Sequence, residues 1–168
     1  LPFDFAVENY PLAPLTLYNI GGPARLALLP RTVDEAAAGY EWMIAQGGKC
    51  YVLGGGSNVL IDDAGLDGVV LITNELNDVE SLGQHRYRIE SGVVLDDVVR
   101  GIMLANNYAM VGGLTGIPGS VGGAIYMNAG TNKGWTCMVM DDVDVVTPEG
   151  RRTIPMEDSL YSLSLIHI

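Results

Sequence analysis

Three consecutive glycines, Gly54, Gly55 and Gly56, separate two apolar runs and are followed by Ser57 and Asn58. Glycine costs about 0.5 to 1 kcal/mol relative to alanine inside regular structure, so clusters persist where the backbone needs positive φ or close approach. Consecutive N–H groups at the end of a strand can bind an anion, and a hydroxyl and an amide add donors. The loop is therefore a candidate phosphate site, although its spacing alone is equally compatible with a tight turn that binds nothing.

A second glycine-rich segment, residues 112–130, reads GGLTGIPGSVGGAIYMNAG and contains no Lys, Arg, Asp, Glu or His. Such a stretch favours a backbone surface that packs against a bulky ligand, and tight turns without a ligand are the less favoured alternative. Thr115, Ser120 and Asn128 add hydrogen-bonding side chains, and Pro118 stiffens the turn. We expect the two segments to hold a diphosphate without a basic residue.

Two common phosphate motifs do not match this sequence. The dinucleotide pattern G-x-G-x-x-G requires a glycine where Val59 stands, and the P-loop pattern requires Ser or Thr where Cys50 follows Lys49. Neither a Rossmann fold nor a P-loop is therefore supported.

Composition limits the classes of partner. The chain has 168 residues, is 48% hydrophobic, and carries a formal net charge of −11 from 9 Lys+Arg and 20 Asp+Glu. It is long enough for one compact domain or two small lobes. Binding to nucleic acid depends on cations that displace counterions, so we exclude nucleic acid and anionic membranes as partners.

The cysteines and histidines are too few and too widely spaced to predict a metal site or a disulfide. Cys50 and Cys137 are far apart, as are His85 and His167, so we predict no metal site and no disulfide. The sequence has no apolar run long enough to span a bilayer and no signal-peptide pattern at its start, so we expect a cytoplasmic protein. A leader removed before the first residue stays an open alternative, because the chain begins without Met.

Strands and a helix must position the first loop. Residues 24–30 alternate like a strand, Thr32 and Glu35 form a capping box for a helix over residues 33–46, and residues 50–53 form a short buried strand. This order predicts a β-α-β unit that runs into the glycines. The core face of the helix is predicted to contain Ala36, Tyr40, Met43 and Ile44.

Further elements surround the second segment. We predict strands over residues 68–72 and 87–92, and a helix over residues 95–107. The turn residues Pro148-Glu149-Gly150 predict a hairpin within residues 143–154.

Three motifs carry a resemblance to a known family. TLYNIGGPARL (16–26), LGGGSNVLI (53–61) and GIPGSVGGAIYMNAG (116–130) resemble, in order and spacing, the amino-terminal part of the UDP-N-acetylenolpyruvoylglucosamine reductase (MurB) family. These flavoenzymes act in bacterial peptidoglycan precursor synthesis. The resemblance runs from Thr16 to Gly134 and continues more weakly through the hairpin.

The resemblance implies an α+β fold, an FAD-binding module of the vanillyl-alcohol-oxidase (PCMH) type built from two small α/β lobes. Residues 1–70 would form the first lobe and residues 71–160 the second. Residues 161–168 would depart from the family pattern, and we expect the family's carboxyl-terminal substrate domain to be absent from this sequence. We favour a truncated chain over a divergent flavin-binding domain.

Matching positions assign FAD-binding residues to both segments. Gly54, Gly55, Gly56, Ser57 and Asn58 would line the pyrophosphate. The second side would be lined by Gly116, Ile117, Pro118, Gly119, Ser120, Gly122, Gly123 and Asn128. For Thr16, Gly21 and Gly22 we favour a role in fixing a turn over direct contact. FAD would be held non-covalently, since neither segment contains His or Cys.

The activity implied is the NADPH-driven reduction of a small-molecule UDP-sugar, UDP-N-acetylenolpyruvoylglucosamine, to UDP-N-acetylmuramate. No catalytic residue is assigned, because the family's serine proton donor and late glutamate would lie beyond residue 168. No arginine follows Arg152, although the family has Tyr-Arg-x-Ser near Tyr161. We therefore expect negligible turnover from these 168 residues alone.

Two other functions remain open. One is an FAD-dependent sugar or alcohol oxidase of the same superfamily, many members of which attach flavin through His or Cys. The other is a flavin-binding fragment without catalytic activity. Rapid reoxidation of the reduced protein by air would indicate an oxidase.

Overall fold

The computed structural model describes residues 1–109 and 111–156. It divides into two compact units, one of Leu1–Leu76 with Val146–Arg151 and the other of Asn77–Val145 with the chain from Arg152 onward. That residues 1–70 and 71–160 act as two lobes of one cofactor site stays a prediction. Tyr161 and the off-pattern tail 161–168 lie outside the described residues.

A mixed four-stranded sheet organises the first unit. Its strands are β1 (Ala6–Pro11), β2 (Pro23–Leu28), β3 (Cys50–Leu53) and β4 (Leu66–Ile72), in the order β1-β2-β4-β3. β1 is antiparallel to β2, whereas β2, β4 and β3 are mutually parallel. Helix α1 (Val33–Ala45) connects β2 to β3, so the predicted β-α-β unit is confirmed, with β4 inserted between its strands.

Helix α1 begins with the predicted cap. The Thr32 hydroxyl accepts a hydrogen bond from Glu35 N at 3.1 Å, while the Glu35 carboxylate accepts from Arg31 N at 2.7 Å. The carboxylate thus reaches one residue beyond the N-cap that a capping box predicts. Met43 is buried, but Ile44 is 40% exposed, so its predicted core position is wrong. The buried face contains Ala36, Ala37, Gly39 and Met43.

Both faces of β4 are buried. Val69 and Leu71 pack on one side with Met43 of α1, and Val70 and Ile72 pack on the other. This is the period of two expected of a strand covered on both faces. β3 lies at the sheet edge, where Val52 is 59% exposed, so the prediction of a buried strand is wrong for most of its length. Leu53, the last residue of β3, is buried and immediately precedes the glycine loop.

The second unit contains short helices and hairpins. Its strands are β5 (Val79–Gly83), β6 (Arg86–Ile89), β7 (Gly130–Thr131) and β8 (Gly134–Trp135), paired β5 with β6 and β7 with β8. Its helices are α2 (Leu95–Val98), α3 (Val111–Leu114) and α4 (Val121–Met127). The core of this unit contains Val93, Leu95, Val98, Val99, Met103, Leu114 and Ala124.

The helix predicted over residues 95–107 is partly confirmed. α2 continues as a π-helical segment over Val99–Met103, where Leu104 N donates to Val99 O at 2.9 Å. Of the strand predicted over residues 87–92, the structure has β6, which ends at Ile89.

The hairpin predicted near residue 150 is confirmed. β9 (Asp142–Thr147) and β10 (Gly150–Pro155) form a two-stranded sheet and are joined by Pro148 and Glu149. Across residues 1–109 and 111–156, each helix is too short or too polar to cross a bilayer.

Candidate cofactor-binding site

The first glycine loop follows β3, and packing fixes its conformation. Gly56 has φ +62°, and a Cβ atom there would lie 1.8 Å from the carbonyl oxygen of Leu15. The Gly56 carbonyl oxygen accepts a hydrogen bond from Leu17 N at 3.1 Å. Glycine is therefore required at position 56 by contact with residues 15–17, whether or not a ligand is bound.

The segment from Thr16 to Gly22 supports this loop. The buried Thr16 hydroxyl lies 3.0 Å from the carbonyl oxygens of both Ala13 and Ile20, and it accepts from Ile20 N at 3.2 Å. Gly22 N donates to Asp62 O at 2.8 Å, and a Cβ on Gly22 would lie 2.2 Å from Asp63 O. These contacts explain Thr16 and Gly22 as residues that fix a turn, as predicted from the sequence.

A groove of about 460 Å³ lies beside the loop within the first unit. Two of the predicted residues, Ser57 and Asn58, line it, and Leu60 and Tyr18 contribute apolar surface that is 78% and 65% exposed. The complete lining consists of Tyr18, Ile20, Ser57, Asn58, Val59 and Leu60. Sequence reasoning missed the apolar members, although they directly follow Asn58 or lie within the TLYNI motif.

The chemistry of this groove suits FAD. The described lining residues include no charged side chain, and the polar ones are a hydroxyl and an amide. Such neutral donors can hydrogen-bond phosphate oxygens, and exposed apolar side chains can cover a flat ring. FAD joins a diphosphate to two ring systems, so both kinds of surface have a counterpart in the ligand.

The second segment contains the start of α4. Ser120 is the N-cap, is 3% exposed, and accepts a hydrogen bond from Gly123 N at 3.4 Å. Gly122 N donates to Ser91 O at 2.8 Å. The main-chain N–H groups of Gly122 and Gly123 therefore both have acceptors within the protein. Their contact with FAD stays a prediction.

Glycines in this segment serve two structural purposes. A Cβ on Gly122 would lie 2.7 Å from Ser91 Cβ, so the absence of a side chain at position 122 allows α4 to pack closely against Ser91. Gly116 and Gly119 have φ of +76° and +117° and flank Ile117 and Pro118. The backbone conformation explains both of these glycines.

Asn128 ends α4 in the left-handed conformation, with φ +43°. It is 3% exposed, and its side-chain Oδ1 accepts a hydrogen bond from Cys137 N at 3.1 Å. Asn128 and Ile117 line a second pocket, of about 310 Å³, within the second unit. Its other lining residues are Met127, Ala129, Gly130, Thr131 and Trp135. Of these, Thr131 and Trp135 lie outside both glycine-rich segments.

Titratable groups with shifted pKa values lie elsewhere. A hydrogen bond and the charge of Asp96 raise the pKa of Arg100, and burial raises the pKa of Tyr108, with smaller contributions from Tyr87 and Asp141. None of these residues lines either pocket. Within the described ranges, no group of three or more His, Cys, Asp or Glu side chains could hold a metal ion.

Comparison with known proteins agrees with this geometry. A family model described as an FAD binding domain matches residues 24–154. The chain belongs to this family of FAD-binding domains. The family supports FAD as the ligand of the module.

Curated relatives include reductases of the family that the three sequence motifs resemble. A UDP-N-acetylenolpyruvoylglucosamine reductase from Myxococcus xanthus is 38% identical over 83% of this chain and 46% of its own length. One from Desulfosudis oleivorans is 39% identical over 84% of this chain and 47% of its own length. The chain thus spans about half the length of these curated relatives, and the resemblance is confirmed.

Solved structures support the fold. The reductase (MurB) from Thermus caldophilus superposes with a TM-score of 0.71 and 28% identity, over 89% of this chain and 51% of its own. The 6-hydroxy-D-nicotine oxidase from Arthrobacter nicotinovorans gives 0.57 and 19%, over 79% of this chain and 30% of its own, and shows the fold alone. The predicted α+β module of the vanillyl-alcohol-oxidase (PCMH) type is confirmed.

Proposed function

We propose that this chain is the FAD-binding part of a cytoplasmic reductase of peptidoglycan precursor synthesis. The reductase uses NADPH to convert UDP-N-acetylenolpyruvoylglucosamine to UDP-N-acetylmuramate. One observation carries the proposal: the chain shares both sequence and fold with such reductases, at 38% identity to the Myxococcus xanthus protein and a TM-score of 0.71 to the Thermus caldophilus protein.

FAD, when bound, supplies the hydride chemistry between NADPH and the enolpyruvyl double bond. The chain's own residues bind and orient it. We assign the pyrophosphate to Ser57, Asn58 and the backbone of the preceding glycines, because these line or adjoin a groove with neutral donors. In the second unit the assigned residues are Gly116, Ile117, Pro118, Gly119, Ser120, Gly122, Gly123 and Asn128.

Retention of FAD by the purified chain tests this assignment. We expect a yellow protein whose FAD leaves on denaturation, because no His or Cys lies in either glycine segment to form a covalent bond. Asn58→Ala should weaken FAD binding about tenfold, measured by equilibrium dialysis, since it removes hydrogen bonds to a charged group.

Asn77→Ala is the matched control. Asn77 is also an exposed asparagine, in the link between β4 and β5, and its removal should leave the affinity for FAD unchanged. A folded wild-type chain that binds no FAD would refute the proposed function. Equal losses in the two variants would refute only the role of Asn58.

The oxidase alternative predicts a different electron acceptor. The likeness to 6-hydroxy-D-nicotine oxidase, at 19% identity, shows the shared fold and does not favour an oxidase. A protein that carries this module at the full length of its relatives should pass electrons from NADPH to the enolpyruvyl sugar nucleotide under anaerobic conditions. Rapid turnover with oxygen and a sugar or alcohol would instead support the oxidase.

A further inference from the structure

Lys133 is the only charged residue in a long stretch of the chain. Residues 101–140 contain no Asp, Glu, Arg or His and a single lysine, whereas the whole chain has a formal net charge of −11. The stretch includes the second glycine-rich segment and the hairpin of β7 and β8. One cation in so neutral a segment of an acidic protein creates a local positive potential, and the residues assigned to FAD do not include it.

The described part of the second unit does not neutralise the ammonium group of Lys133. The side chain is exposed and forms no ion pair with a described residue. The arginines from Asn77 to Val145 each pair with a carboxylate instead, and the pairs are Arg86–Asp141, Arg88–Glu80 and Arg100–Asp96. Among the described Lys and Arg residues of this range, Lys133 is therefore the one available to an external anion.

Packing fixes the two-residue turn that carries Lys133. Its main-chain N donates to Thr131 Oγ1 at 3.3 Å. The hairpin lies directly against α3, because a Cβ on Gly113 would lie 2.3 Å from Gly134 O, and the lysine stem also reaches α3, where a Cβ on Gly112 would lie 3.9 Å from Lys133 Cδ. The backbone that carries the ammonium group is thus ordered before a ligand binds, which reduces the entropy cost of binding.

The hairpin that carries Lys133 also borders a pocket. Thr131 lines the pocket of about 310 Å³ together with Asn128 and Trp135, and the hydrogen bond from Lys133 N joins the lysine to this lining. Lysine binds phosphate as a point charge on a flexible stem. The fold therefore provides a phosphate-binding cation next to a cavity of the size that holds part of a larger ligand.

We propose that Lys133 binds the diphosphate of the nucleotide substrates and sets their affinity, but not that of FAD. The inference rests on the proposed function, in which NADPH and the UDP-sugar react with the same flavin in turn. Both of these ligands carry a diphosphate, so one cation near the flavin module serves both. Lys133 lies outside the three motifs that carry the family resemblance.

Nucleotide binding to the purified chain, with and without FAD, tests the role of Lys133. The probes are UDP and NADP⁺, and equilibrium dialysis measures their dissociation constants. Lys133→Gln should raise both constants about fivefold, as expected for one exposed charge pair, and Lys133→Arg should restore them to within about twofold of the wild type. The dissociation constant for FAD should be the same in all three proteins.

Lys49→Gln is the matched control, since the chain has two lysines. Lys49 is also exposed and directly precedes β3 in the first unit, so its replacement should leave nucleotide affinity unchanged. Salt gives a second measurement. The dissociation constants of the wild type for UDP and NADP⁺ should rise between about 0.01 M and about 0.15 M salt, and this rise should disappear in Lys133→Gln.

The two probes distinguish the sources of the diphosphate. A loss of affinity for UDP alone would assign the contact to the sugar nucleotide, and a loss for NADP⁺ alone would assign it to the nicotinamide dinucleotide. Unchanged affinity for both in Lys133→Gln, an equal loss in Lys49→Gln, an equal loss of FAD affinity, or a wild-type chain that binds neither nucleotide would overturn the proposal.

The outcome is separable from the proposed function. Retention of FAD together with nucleotide binding that does not depend on Lys133 would reject the role of Lys133 and leave FAD binding intact. Failure to bind FAD together with Lys133-dependent binding of UDP or NADP⁺ would reject the proposed function and keep Lys133 as a diphosphate-binding residue.

Discussion

At the scale of single residues, Gly56 is required for two separate reasons. Its φ of +62° is costly for other residues, and a Cβ atom would lie 1.8 Å from Leu15 O. Gly56→Ala should therefore lower the free energy of unfolding of the FAD-free protein by about 3 kcal/mol, because the loop must move away from residues 15–17. Urea denaturation measures this loss.

Gly47 separates the two reasons. It also has positive φ, +66°, but no atom lies within 4 Å of the position that a Cβ would take. Gly47→Ala should therefore show the conformational cost alone, about 1 kcal/mol. If the two variants lose the same stability, close packing against Leu15 is not what requires glycine at position 56.

At the scale of elements, α4 contains two adjacent glycines with opposite expected effects. A Cβ on Gly122 would lie 2.7 Å from Ser91 Cβ, whereas the nearest atom to a Cβ on Gly123 is Ser120 Oγ at 3.5 Å. Gly123→Ala should stabilise the FAD-free protein by about 0.5 kcal/mol through helix propensity, and Gly122→Ala should destabilise it by about 2 kcal/mol. Thermal unfolding of the two variants compares them, and stabilisation by both would show that Ser91 does not restrict the helix.

Local signals explain which elements could be predicted. α1 has a capping threonine and an apolar face, so its start at Val33 follows from the sequence, as does the hairpin at Pro148-Glu149. α4 has a capping serine as well, but glycines obscure its helical pattern. β5 is exposed along its length and is defined by its pairing with β6, a long-range property that periodicity does not contain.

The same limit applies to the candidate site. The glycine loop and Asn58 could be predicted as a candidate site, because backbone amides next to neutral side chains indicate anion binding. The apolar walls, Tyr18 and Leu60, and the pocket at Trp135 could not be found, because pockets arise from residues that the fold brings together. The hydrogen bond from Gly122 N to Ser91 O likewise joins segments 31 residues apart, so the loss of that donor was invisible in the sequence.

At the scale of the whole molecule, the net charge of −11 opposes a doubly negative diphosphate, and the segments assigned to FAD contain no Lys or Arg to offset it. Salt screens this repulsion, since the Debye length falls from about 30 Å at 0.01 M to about 8 Å at 0.15 M. The dissociation constant for FAD should therefore fall about two- to threefold between these salt concentrations, whereas a site built on cations would bind more weakly as salt rises.

Isothermal titration in sodium chloride and in choline chloride should give the same change, because screening does not depend on the identity of the cation. Riboflavin, which has no phosphate, should bind equally at both concentrations. An FAD affinity that weakens with salt would show that a basic side chain holds the diphosphate after all.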